Sequence, residues 1–293
     1  MSNNFSGCIL VKFTPQSTTP AELADFLDDY FGVTACNYTD DGMEEYVGYA
    51  EGSFSKDDLM RAADAQNITL PSFTVEKLEN KNWLTANVIK FAPFEVADFC
   101  IYGIHETSAP QTDKLALKIY AATAFGSSHQ TTRCCLQAIS DLNRMGASHQ
   151  KILDIGTGSG ILSLACAKLW EHDNPQIIAA DIDNEAVNVT TQNAYDNHLE
   201  QYLQVIQSDG YTAPLIKQNK PYHIIMANIL ARPLIEMAPD LSSCLQTGGF
   251  CILSGFVEDQ VSWVVDAHQK EGLSLLKTYR IDNWRAVIME KKA

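Results

Sequence analysis

Between Lys151 and Glu290 short apolar runs alternate with helical periods five times, and this alternation admits few folds. The runs Lys151–Gly156 (KILDIG), Gln176–Asp183 (QIIAADID) and Tyr222–Ile229 (YHIIMANI) are almost continuously apolar, so both faces of each strand must be covered. Leu203–Asp209 and Gly249–Gly255 read as further strands. Helices are expected at Ile161–Trp170, Glu185 to about Asn197, Pro233–Leu245 and Glu258–Lys270. Two last strands, Leu273–Ile281 and Trp284–Glu290, meet at the turn Asp282-Asn283. The pattern predicts an α/β fold: a doubly wound, mostly parallel seven-stranded sheet closed by a C-terminal antiparallel hairpin.

Residues 1–80 follow another rhythm. Cys8–Phe13, Val33–Tyr38, Glu45–Ala50 and Ser72–Leu78 are strand-like. A helix opens at Thr19 or Pro20 and runs to Tyr30, with Leu23, Phe26, Leu27 and Tyr30 at helical spacing. Ser55 caps a second helix through Ala65. The order β-α-β-β-α-β is that of a small α+β ferredoxin-like domain, which by itself names no function. Residues 81–110 read as a connector packed on the next domain, and 111–293 as the larger domain. The latter begins with a short strand, Leu115–Ile119, a polar loop, Gly126–Thr132, and a helix from about Arg133 to Leu142.

Charge separates the two parts. The chain of 293 residues carries a net −15, and residues 1–80 hold 14 acids against 4 bases. Such a surface opposes phosphate-backbone binding, which needs clustered Lys and Arg. A solvated surface explains the acidity, and a basic partner for residues 1–80 explains it too. No apolar run approaches the ~18 residues that span a bilayer, and the opening MSNNFSGCILVKF has no basic segment leading an apolar one. A cytoplasmic location is expected. The eight cysteines form no CxxC pair and no Cys/His ligand spacing, as befits reduced core thiols rather than a metal site.

The chemistry gathers at the carboxyl ends of the strands, where open α/β sheets bind ligands. Asp154-Ile-Gly156-Thr-Gly158-Ser-Gly160 lies between a strand and a helix, so its backbone can approach a ligand closely. Nicotinamide-dependent oxidoreductases use a similar loop. Against that reading, Asp154 lies two residues before the first glycine, where it suits an ammonium or ordered water and repels a pyrophosphate. Asp181 ends the next strand, placed to accept from both ribose hydroxyls; Asp183 competes for that role, but two residues later it better suits the start of the following helix. Asp209 lies at the next strand end, either near an adenine amine or as a turn residue. Asn228 ends the strand from Tyr222, over the point where a methyl group would leave.

With these residues in place, the segment from about 83 to 293 resembles the PrmA family, methyltransferases of the eleventh large-subunit ribosomal protein. DIGTGSGILSLACAKL is similar to the family's motif around the methionine moiety, ADIDNEAV to its ribose segment and ANILARPLIEMAP to its Asn-Ile-Leu signature. GGFCILSGF and the late Trp284 also fit. One segment departs: the family usually has Asp-Pro-Gly, one residue, Ala-Phe-Gly-Thr-Gly, one residue, His, one residue and Thr-Thr. Here Ala124-Phe125-Gly126 follows Tyr120-Ala-Ala-Thr123, and the loop is one residue shorter, keeping His129, Thr131 and Thr132. The resemblance implies a class I methyltransferase with S-adenosylmethionine as cofactor. It implies cofactor contacts at Thr132, Gly156, Asp181 and Asn228, with Gly158 close by. For Thr131 and Thr132 a helix N-cap is the competing role, and for His129 a structural hydrogen bond.

A lysine amine must shed its proton before it attacks a methyl group, and Asn228 is the residue expected to orient it. The expected reaction is protein-lysine methylation of a basic ribosomal protein held by residues 1–80. Another protein, a small amine, or a cofactor-binding module without activity are the alternatives.

Overall fold

The computed structural model describes residues 8–14, 16–31, 34–39, 43–51, 54–77, 91–120 and 130–292. The chain divides into two compact units, Met1–Ala86 and Asn87–Ala293.

In the first unit, strands β1 (Cys8–Phe13), β2 (Thr34–Tyr38), β3 (Glu44–Glu51) and β4 (Phe73–Lys77) form a sheet in the order β2-β3-β1-β4, with antiparallel neighbours throughout. Helices α1 (Ala21–Phe31) and α2 (Lys56–Ala65) join them in the expected β-α-β-β-α-β order. Val11 and Phe13 point to one face of β1, where Leu23, Phe26 and Leu27 of α1 and Leu59 and Ala63 of α2 complete an apolar core. Ser55 is extended, and its hydroxyl accepts from the backbone N–H of Asp58 at 3.3 Å, so α2 starts where the sequence predicts.

The second unit opens with a three-stranded sheet of β5 (Phe94–Val96), β6 (Phe99–Gly103) and β7 (Leu115–Ile119). The expected connector 81–110 therefore holds two strands in its described part. Val96, Phe99 and Ile101 are buried in the same core as Leu117 and Ile152, which ties this segment to the larger unit. Helix α3 (Gln130–Arg144) leads into β8 (Lys151–Ile155), α4 (Ile161–Leu169), β9 (Gln176–Asp181), α5 (Asn184–Asp196), β10 (Leu203–Gln207), α6 (Pro214–Asn219) and β11 (Tyr222–Asn228). Helices α7 (Ala231–Glu236) and α8 (Ala238–Cys244), β12 (Leu245–Val257), α9 (Val261–Lys270), β13 (Leu273–Ile281) and β14 (Trp284–Lys291) complete it. The main sheet has seven strands in the order β10-β9-β8-β11-β12-β14-β13. Its first five are parallel, and β14 and β13 close it antiparallel.

Alternate residues of the central strands feed two cores. Ile152, Ile224 and Met226 face one layer of helices, and Leu153, Ile155, Ile225 and Ala227 face the other. The doubly wound, seven-stranded α/β fold is thus present. Three details differ from the sequence expectation. Helix α3 begins at Gln130, so Thr131 and Thr132 lie buried in its first turn and do not cap it. The helix expected over Pro233–Leu245 is two short helices, because Pro239 has no N–H to continue the ladder past Met237. The short helix α6, which Pro214 begins, is too brief to leave a period in the sequence.

Candidate active site

The direction of winding reverses between β8 and β11, which opens a crevice at the carboxyl ends of the strands. A cavity of about 750 Å³ fills it, lined from β8, β9, β11, the loops that follow them, and Trp284. That volume suits a nucleoside-sized ligand.

The first wall is the glycine loop. The N–H groups of Gly156 and Thr157 donate to the carbonyl of Ala180 at 2.8 and 3.1 Å, folding the loop onto β9. A pyrophosphate-binding loop would keep such donors for the ligand. Gly156 has φ +70, and a Cβ there would stand 2.3 Å from Cγ2 of Ile229, so no other residue fits between the loop and β11.

The carboxylates separate by role. Asp181 lines the cavity while its Oδ2 accepts from Gly158 N at 2.9 Å and its Oδ1 from Asp183 N at 3.0 Å. Both oxygens are held in place and keep further lone pairs for a diol. Asp183 instead caps α5, accepting from Glu185 N at 2.8 Å. Asp209 is exposed at the far rim.

Asp154 differs from expectation. It is 1 % exposed, absent from the cavity wall, and its Oδ2 accepts from the hydroxyls of Thr157 (2.8 Å) and Ser163 (2.7 Å). The inward face of β8 turns it toward α4, so it braces the loop from behind the cavity wall. Burial pushes its carboxyl up to about 6, assisted by the charge of Asp181 and opposed by the two hydroxyls.

On the other wall Asn228 and Thr132 meet: the Asn228 side-chain Nδ2 donates to Thr132 Oγ1 at 3.2 Å, and both face the cavity. Ile229 N donates to the carbonyl of Ser254 at 3.0 Å, which holds the end of β11 against β12. Gly255, with φ +99, permits this contact, since a Cβ there would lie 2.0 Å from the Ile229 carbonyl oxygen. Sequence reasoning missed this role, although a glycine late in an apolar strand signals a bulge or a close approach. Trp284 closes the wall from the terminal hairpin. Its neighbour Arg285, buried and paired with Glu258, donates to the carbonyls of Asp282 (2.9 Å) and Trp284 (2.8 Å) and so fixes that turn.

The structure therefore brings Thr132, Gly156, Gly158, Asp181 and Asn228 to one cavity. Ile182, Met237 and Glu236 also line it and were not singled out from sequence. His129 lies outside the described residues. Asp181, Asp209 and Glu236 give the wall three carboxylates, and no Lys, Arg or His joins them among the described lining residues. Such a wall fits a cationic ligand carrying a ribose and disfavours a dinucleotide. Among the described residues no group of His, Cys, Asp and Glu could hold a metal, and no helix is long and apolar enough to cross a membrane.

Comparison with known proteins places these features. The family model described as ribosomal protein L11 methyltransferase (PrmA) matches residues 27–292. A ribosomal protein L11 methyltransferase of Rhodopseudomonas palustris is 32% identical over 238 residues, covering 80% of this chain and 79% of its own. One of Brucella suis is 35% identical over 217 residues, 73% of this chain and 74% of its own. Among solved structures, a ribosomal protein L11 methylase from Lactobacillus delbrueckii subsp. bulgaricus superposes with a TM-score of 0.60 at 23% identity. That match covers 70% of this chain and 100% of the other, and it supports the shared fold.

Proposed function

Because this chain belongs to the ribosomal protein L11 methyltransferase family, we propose that it methylates lysine and other amino groups of that ribosomal protein, with S-adenosylmethionine as methyl donor. The observation that carries the reading is the cavity itself: a crevice of about 750 Å³ lined by three carboxylates, the fixed Asp181 among them, and by the amide of Asn228.

When bound, the donor supplies a methyl group already activated by its sulfonium charge. Asp181 would hold the ribose, and the Gly156–Gly158 backbone and Thr132 would flank the methionine portion. Asn228 donates one N–H to Thr132 Oγ1, and its Oδ1 would accept from the substrate amine. A neutral amine donating one N–H to Oδ1 is held with its lone pair free for attack. Populating that neutral amine from an ordinary lysine costs about 4–5 kcal/mol at neutral pH. Partial burial and the positive charge of the donor's sulfonium would lower that cost, and the proton would pass to water.

Residues 1–80, with 14 acids and 4 bases, are proposed to capture the basic substrate, and the reaction is placed in the cytoplasm, where ribosomal proteins are made. Radiolabelled methyl transfer onto ribosomes from cells lacking this protein tests the reading. Label confined to the eleventh large-subunit protein is the expected result. Label on another protein, or on RNA, refutes the substrate assignment.

A further inference from the structure

Two buried side chains that line no part of the cavity grip the glycine loop from behind. Both lie on α5. The Thr190 hydroxyl donates to the carbonyl of Gly158 at 2.9 Å, and the Asn193 amide donates to the carbonyl of Ser159 at 2.7 Å. Neither residue is exposed at all. Gly158 is thus held at both ends of its residue, its N–H by Asp181 and its carbonyl by Thr190. The fit is close: a Cβ on Gly160 would stand 2.7 Å from Cγ2 of Thr190. Asn193 extends the grip further, because its Oδ1 accepts from Tyr120 N at 2.8 Å and its Nδ2 also donates to the Tyr120 carbonyl at 3.1 Å. Asn197, one turn on, repeats the pattern with the N–H and carbonyl of Lys118, at 2.8 and 2.7 Å.

A stretch of backbone rich in glycine loses more conformational freedom on ordering than any other. If the loop were ordered only by ligand, that entropy would be subtracted from affinity. Here the ordering is done in advance by side chains of the folded protein, and the loop's outward face is left for the ligand. We propose that Thr190 and Asn193 are positioning residues that preorganise the Gly156–Gly160 loop for the cofactor, which makes α5 part of the cofactor site although it does not touch it. Asn193 also joins that loop to the exit of β7 at Tyr120. This proposal rests on the reading of the cavity as an S-adenosylmethionine site.

Thr190→Val replaces the hydroxyl with a methyl of the same shape, Thr190→Ala removes it without adding bulk, and Thr190→Ser keeps it. Affinity for S-adenosylhomocysteine is measured by calorimetry for each full-length variant, beside KM for S-adenosylmethionine and kcat. The Val and Ala variants are expected to bind about tenfold more weakly and to raise KM by a similar factor while kcat stays within about twofold, the loss of one buried hydrogen bond. Ser is expected to restore binding to within about twofold. Wild-type affinity in both Val and Ala overturns the proposal, as does a Ser variant as weak as Val, since the hydroxyl by itself would then not account for the affinity. A fall in kcat at unchanged KM also overturns it. If the unaltered protein binds no S-adenosylhomocysteine, the cofactor reading fails and the proposal with it, an outcome distinct from all the others.

Discussion

The side-chain amide of Asn228 donates to the hydroxyl of Thr132 at 3.2 Å, joining two residues 96 positions apart in the wall of one cavity. With its nitrogen on the Thr132 side, the amide leaves Oδ1 for the acceptor. Asn228→Ala is therefore expected to lower kcat about a hundredfold while weakening cofactor binding far less, because its work is orientation. Thr132→Val should reproduce part of that loss by freeing the amide to turn. Steady-state kinetics set beside calorimetry decide the point: equal losses in binding and turnover would make Asn228 a cofactor contact alone.

Asp181→Ala should weaken S-adenosylmethionine binding about ten- to a hundredfold, the worth of charge-assisted hydrogen bonds. The variant also frees the Gly158 N–H that Asp181 holds, so its melting point should be compared with the parent's. A folded variant of unchanged affinity would end the ribose assignment.

Asp154 ties stability to pH. Its folded-state carboxyl sits at about 6 against an ordinary 3.8, so between those values the folded protein binds the proton more tightly than the unfolded chain. The contribution is fully present below 3.8 and is lost as pH rises through about 6, a difference of about 3 kcal/mol at neutral pH. Asp154→Asn keeps an oxygen for the hydroxyls of Thr157 and Ser163 but cannot ionise. Melting curves from pH 4 to 8 should show the parent losing stability relative to this variant as pH rises. Parallel curves would mean that Asp154 titrates normally.

Gly255→Ala should destabilise the protein by about 3 kcal/mol, combining a strained backbone with a clash against Ile229. Because Ile229 follows Asn228, the turnover of any folded fraction should fall as well. Chemical denaturation measures the first effect and activity per folded molecule the second.

Removing residues 1–86 should leave a folded unit that keeps its cofactor affinity, since every proposed cofactor contact lies in Asn87–Ala293. Methylation of the intact protein substrate should collapse, and salt should raise the apparent KM of the full chain as the Debye length shortens to about 3 Å near 1 M. A truncated protein that methylates as efficiently as the whole, or indifference to salt, would leave the acidity as solvation.

The architecture was legible along the chain because its signals are local. Continuous apolar runs such as KILDI and YHIIMAN declare strands covered on both faces, and each is decided by residues within a few positions. The cap at Ser55, the start of α5 at Asp183 and the acid ending β9 were readable for the same reason: a side chain meeting backbone two or three residues away leaves its mark in spacing. The aim of a side chain leaves none. That Asp154 turns inward to Thr157 and Ser163 follows from which face of β8 it occupies beneath α4. Thr132 finds Asn228, Gly255 admits Ile229, and Thr190 and Asn193 hold the glycine loop only because parallel strands bring distant segments to one edge of the sheet. Sequence decided which residues the edge of the sheet would carry, and tertiary packing decided which of them face the ligand, since hydrogen-bond partners far apart in the chain become neighbours only when the sheet is complete.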